Sequence, residues 1–325
     1  MGQVWKEKIA AVPTPMAGLA LAIASLGWCW ENALPFHGFA QLGGAMIAAA
    51  LLLGLAVKFV LHPNLLWQDL KHPVVGSVVP TFSMALMVIS HAMGPFLPLT
   101  GQIIWLGAVV MHLIFLVCFI YHRLSGFSLH HMVPSWFVPP VGIIVADVAF
   151  PGGIMSPLAH GLLVFGLSAY ALMLPVMIYR LIFCHEVPDA AKPTIAILAA
   201  PASLSLAGYL TVTAQPSVLM VALLASIGLL MTMVIYLALV RLLRLPFTPA
   251  YAAFTFPMVI GATALYKTAQ WMSTQSVLSD YAGQIETLAL AELFIATVVV
   301  GYVIVRYLTF YCSALTGLWR PHVTG

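Results

Sequence analysis

The chain has 325 residues, 62% hydrophobic and only 6% charged, with a formal net charge of +3. A soluble domain carries about 25% charged residues, so this chain lacks the side chains for a water-facing surface and reads as an integral membrane protein. Its few positive charges are scattered over short loops, which argues against a nucleic-acid partner. The four cysteines (Cys29, Cys118, Cys184, Cys312) stand far apart with no CxxC, supporting neither a metal site nor a disulfide framework.

Lys6 and Lys8 precede the first apolar run and faintly resemble a signal peptide. The run opens on Pro13 and Pro15 and fits an internal repeat, so it reads as a retained first helix. Ten stretches are long and apolar enough to span a bilayer: 14–30, 38–61, 73–93, 99–121, 132–150, 157–181, 193–213, 216–240, 249–272 and 285–311. The odd stretches open on proline, and the later four carry a second one further in: Pro73 and Pro80, Pro134 with Pro139 and Pro140, Pro193 and Pro201, Pro249 and Pro257. A recurrence of about sixty residues marks a repeated supersecondary unit. The even stretches have almost no proline.

The expected fold is an all-α integral membrane protein of one domain over residues 1–325. Ten transmembrane helices form five helical hairpins around a central pore, with proline-kinked odd helices inside and straighter even helices facing lipid. Proline is tolerated inside a membrane helix where neighbours, hydroxyls or water re-satisfy the freed carbonyl. With ten spans, Lys6, Lys8, Lys58, Lys71, Arg123, Arg180, Lys192, Arg241, Arg244, Arg306 and Arg320 fall on one side and Lys267 alone on the other. Lys and Arg accumulate in cytoplasmic loops, so both termini are expected in the cytoplasm. Trp28, Trp30, Trp105 and Trp271 fall near the outer membrane boundary, as interfacial aromatics do.

Pro80, Pro139, Pro201 and Pro257 are expected to bend their helices near the middle and, around a shared axis, to make one constriction. The first helix has no second proline, and Gly18 is its nearest flexible residue. Small residues at the bends (Gly76, Gly142, Ala200, Ala202, Ala253) leave room for a path or let helices pack closely. The hydroxyls of Thr81, Ser83, Ser203, Ser205 and Thr255 either donate to a passing anion or bond a carbonyl of their own helix; the second reading is favoured for most. Phe256, just before Pro257, is a packed aromatic or a hydrophobic gate that excludes water. Lys267 and Glu292 lie at similar depth in the last two spans, as a mutual ion pair or with Lys267 drawing anions into an outer vestibule. Glu31, Asp147 and Asp280 are expected at the outer surface in solvent. His91, His112 and His160 are isolated candidates for proton transfer.

The stretches PTPMAGLALAIASLGW, KHPVVGSVVPTFSM, PSWFVPPVGIIVA, IAILAAPASLSLAGYL and AYAAFTFPMVIGATAL, in this order, resemble the tellurite-resistance/dicarboxylate transporter family. That family includes bacterial tellurite-resistance membrane proteins and plant slow-type anion channels. The resemblance implies homotrimers with a pore in each subunit, lined by the five odd helices and plugged by a phenylalanine of the ninth, which matches Phe256. It implies small anions as partners, no cofactor, and a place in the plasma (bacterial inner) membrane.

Two functions compete. One is an anion channel passing chloride- or nitrate-sized ions once Phe256 moves. The other is a proton-coupled carrier of C4-dicarboxylates, malate, sulfite or tellurite-like oxyanions. No arginine fork for a doubly charged substrate is evident in the path, which favours weak passing contacts. There is no HExxH, no GxSxG, no paired aspartates and no phosphate loop, so an enzyme is not expected and no catalytic residue is named.

Overall fold

The computed structural model describes the backbone of residues 2–315 and the side chains of residues 5–311; Arg320 and the side chain of Cys312 lie outside these. All regular structure among the described residues is helical. The principal rods are α1 Met16–Ala33, α2 Phe39–Leu61, α3 Val75–Met93, α4 Pro98–Leu124, α5 Pro134–Val148, α6 Gly153–Phe183, α7 Asp189–Val212, α8 Val218–Leu242, α9 spanning 249–273, and α10 Ser279–Leu315. Two short helices, Gly2–Ala10 and Pro63–Lys71, lie outside this set.

Seven rods (α2, α3, α4, α6, α7, α8, α10) are long and apolar enough to cross a membrane. The other three expected spans differ in make-up. The last turns of α1 carry Glu31 and Asn32, α9 carries Lys267 and Gln270, and α5 is shorter and broken into several pieces. Of the ten expected spans, seven therefore meet the measure of length and apolar character among the described residues, and α1, α5 and α9 do not.

Burial separates the rods into two kinds. In the spanning windows of α3 and α7, 72% and 67% of residues are buried, against 28–39% for α2, α4, α6, α8 and α10. Lipid solvates an apolar side chain as well as protein does, so the exposed aliphatic faces of the even rods, such as Leu53, Val117, Leu172 and Leu237, suit contact with a bilayer. Each odd rod packs on the even rod that follows it. The odd rods also pack on one another in cyclic order: α1 on α3, α3 on α5, α5 on α7, α7 on α9, and α9 back on α1.

The prolines act differently from simple mid-helix kinks. Pro139, Pro201 and Pro257 stand in the first turn of a helical segment, and Pro15 and Pro80 immediately precede one. There a missing N–H costs little and the fixed φ favours helix entry. What precedes them is often 3-10 helix: Pro134–Phe137, Asp189–Ala199 and Pro249–Phe254. Such runs rarely exceed a few residues and rise about 2.0 Å per residue against 1.5 Å in an α-helix. α1 runs unbroken through Gly18, the position named for its flexibility. Its helix begins after Pro15, which already supplies the entry that the inner prolines supply elsewhere.

Candidate functional site

A cavity of about 730 Å³ lies between the five odd rods and takes wall residues from every one. Its lining includes residues three apart on each rod, most regularly Ala191, Thr194, Ile197 and Ala200 of α7, with neighbours such as Val74, Gly142, Pro201, Ala252 and Pro257 between and beyond them. In a 3-10 helix residues i and i+3 eclipse, so a run such as Asp189–Ala199 turns one straight edge to the cavity. Along the five rods the wall reaches no further than Leu21, Met84, Gly142, Leu204 and Pro257. Gly142 is needed at this level: a Cβ there would stand 2.8 Å from Met84 Sδ. Phe256, 8% exposed, belongs to the wall at the same depth, whereas Phe254 is fully buried against Tyr251.

The sequence-named positions divide. Gly18, Thr81, Gly142, Ala200, Pro201, Ala253, Phe256 and Pro257 line the cavity. Pro80, Pro139, Gly76, Ser83, Ala202, Ser203, Ser205 and Thr255 do not. Gly76 packs on the Leu70 carbonyl, where a Cβ would stand 2.6 Å away, and Ser203 packs on Gly228 of α8. Three hydroxyls bond their own helix: Thr81 donates to the Val78 carbonyl (2.7 Å), Ser83 to Pro80 (2.7 Å) and Thr255 to Ala252 (2.6 Å). The Ser205 hydroxyl is buried with no partner.

The charged wall residues were not singled out from the sequence. Lys58, in the last turn of α2, is 6% exposed and lines the cavity with Asp69, Thr14, His72, His130 and His131. Its ammonium donates to the Val12 carbonyl (2.8 Å) and to Thr14 Oγ1 (3.2 Å), and stands 3.8 Å from Asp69 Oδ2. Thr14 donates its own proton to Asp69. The signal was a lone lysine inside FAQLGGAMIAAALLLGLAVKFVL, which reads equally well as a loop charge. Buried Arg180 of α6 donates to the carbonyls of His130 (3.1 Å) and His185 (2.7 Å), which ties down the loop carrying His130 and His131.

Several expectations fail away from the cavity. Among the described residues no ion pair joins Lys267 to Glu292. The Lys267 ammonium lies 5.9 Å from the Trp28 ring, while Glu292 Oε2 is buried against Gly261 with no hydrogen bond. Asp147 is fully buried beside Gly208, both carboxylate oxygens without a partner, rather than at a solvated outer surface. Short, closely packed α5 draws it inside. Trp105 is also fully buried, donating to the Ala146 carbonyl (2.9 Å), so it serves the core and not the interface.

Two uncharacterized transporters of Methanocaldococcus jannaschii are similar to this chain. One is 30% identical over 229 residues, 62% of this chain and 66% of that protein. The other is 29% identical over 246 residues, 65% of this chain and 69% of that protein. The family model described as SLAC1, voltage-dependent anion channel, matches residues 10–308, a stretch that takes in all five odd rods and the cavity between them. The chain belongs to the voltage-dependent anion channel family.

Proposed function

We propose that the chain is an anion channel: ten membrane-crossing segments form five hairpins, and the five odd rods surround a pore in each subunit. The cavity is its vestibule, Phe256 is its gate, and chloride- or nitrate-sized anions pass when the ring swings aside. The observation that carries this reading is the closed cyclic packing of the odd rods around a cavity whose wall reaches no further than the level of Phe256. An aromatic ring at a narrow apolar level closes a path by filling it and excluding water. The vestibule opens where the odd rods begin, the same side as Lys6, Lys8, Lys58 and Lys71. By the charge rule that side is cytoplasmic, in the bacterial inner membrane. Assembly as a homotrimer, with no catalytic role, completes the reading.

Phe256→Ala tests it. Removing a barrier of about 1.4 kcal/mol raises a rate roughly tenfold, so reconstituted Phe256→Ala protein carries at least that much more anion current than wild type. An unchanged current removes Phe256 as the gate.

A proton-coupled carrier is the second reading, favoured by Asp147 and Glu292. Both are buried, with carboxylate oxygens that lack partners, and membrane-buried acids commonly form proton relays. Anion flux that stops when the proton gradient is collapsed, and that Asp147→Asn or Glu292→Gln uncouples from the gradient, would install this reading in place of the channel.

A further inference from the structure

Lys58 is ion-paired with Asp69 and stands 5.1 Å from the Phe59 ring, but its ammonium makes fewer direct hydrogen bonds than it can. An ammonium carries three donors; two go to the Val12 carbonyl and Thr14. Asp69 stands at 3.8 Å, well beyond the 2.7–2.9 Å of a direct charge-assisted hydrogen bond. The Thr14 hydroxyl engages that carboxylate itself and has no proton left to offer. The third ammonium donor makes no direct hydrogen bond, so an occupant of the cavity that Lys58 and Asp69 line can accept from it. His72 adds another donor. Its Nδ1 accepts from the backbone N–H groups of Val74 (3.2 Å) and Val75 (3.1 Å), so the neutral ring carries its proton on Nε2. His72 also lines the cavity.

Past these groups the wall is built from side chains such as Val78, Ile197, Leu204 and Ala253. Lys58 is the one Lys or Arg in the wall among the described residues. A volume of about 730 Å³ falls in the range of organic-ligand pockets and far exceeds what a halide fills. We propose that this cavity binds monocarboxylates with an apolar body, the carboxylate on Lys58 and His72 and the carbon chain laid along the wall toward Phe256. A dicarboxylate fits worse, because its second charge would enter the apolar part with no cation to meet it. The inference rests on the pathway reading only for the cavity's being a vestibule, where such an acid either enters the pore or blocks it.

The test is calorimetric titration of acetate, butyrate, hexanoate and succinate into the full chain in neutral phosphatidylcholine nanodiscs, with empty discs subtracted. Wild type is expected to gain about fourfold in affinity per added methylene, the value of a buried CH2, and to bind succinate less well than butyrate. Lys58→Gln alone strands Asp69, so the main variant is the neutral pair Lys58→Gln with Asp69→Asn, checked for wild-type elution on size exclusion. It is expected to lose hexanoate affinity tenfold or more, and Lys58→Arg to keep most of it. Affinity independent of chain length, succinate binding as tightly as butyrate, or an unaltered neutral-pair variant would overturn the inference. Phe256→Ala separates the two claims. Hexanoate binding with no anion current in that variant leaves this site standing and removes the gate. Chloride current without hexanoate binding or block removes this site and leaves the gate.

Discussion

His112 shows how a single polar residue is settled in this fold. It sits on α4, an even rod, yet is fully buried and reaches inward. Its Nε2 lies 2.8 Å from the Pro139 carbonyl, which can only accept, so Nε2 carries the proton; Nδ1 is then an acceptor 3.1 Å from Ser83 Oγ, whose one proton is divided between it and the Pro80 carbonyl. One imidazole thus ties α4 to both α3 and α5 at the two proline entries. His112→Ala leaves the Pro139 carbonyl without that donor, at a cost of about 1–3 kcal/mol. The expected outcome is a lower Tm in a thermal unfolding assay with unchanged anion selectivity, because His112 is not in the cavity wall. A selectivity change at unchanged Tm would contradict this structural role. The sequence offered His112 only as an isolated histidine for proton transfer, since its partners lie 29 and 27 residues away. Asp147 was misread for the same reason: a residue at the end of an apolar run looks solvated until its neighbours are known.

At the scale of the element, the prolines were legible and their consequence was only partly so. Their recurrence marked the odd rods, and the odd rods line the cavity. Sequence reasoning expected bent α-helices, whose faces repeat every 3.6 residues. In α5, α7 and α9 the chain instead uses 3-10 stretches before the inner proline, while α3 is α-helical on both sides of Pro80, and the α7 edge of the cavity steps by three. Proline supplies no N–H and so weakens the i to i−4 ladder, but nothing local dictates that an eleven-residue segment should settle as 3-10 helix. That choice follows from packing between α5, α8 and α9. Cysteine substitution along α7, with Cys29, Cys118, Cys184 and Cys312 replaced by alanine, reads out the period. Cysteines at Thr194, Ile197 and Ala200 are expected to react with a small polar thiol reagent. Those at Ala196 and Ala199, both fully buried outside the wall, are expected to stay protected. Reactivity at 194 and 198 with protection at 197 would instead describe an ordinary α-helix.

Over the whole molecule, the division into buried odd rods and exposed even rods was readable, because proline content and uninterrupted apolar length segregate by rod. The cavity's charged rim was not, because Lys58 comes from an even rod and Asp69 from the short helix Pro63–Lys71. Both reach the wall only once the rods have closed into a ring. That ring is asymmetric along its axis. Along the odd rods the wall stops at Leu21, Met84, Gly142, Leu204 and Pro257, and beyond it Ala22, Ala85, Ala146 and Ala262 are fully buried. Access to the proposed path should therefore be one-sided while Phe256 is in place. Ala253, one 3-10 turn before Phe256 and in the wall, is the position to probe. With its cysteine as the only one present, a membrane-impermeant thiol reagent is expected to label it from the side bearing the N-terminus and not from the other. Adding Phe256→Ala is expected to open labelling from both sides, because it removes the aromatic ring at the level where the wall ends. Two-sided labelling with Phe256 present would mean that the path is already open at this level and that the barrier lies elsewhere. Labelling that stays one-sided in the double variant would mean that the close-packed far halves, and not the phenylalanine, hold the path shut.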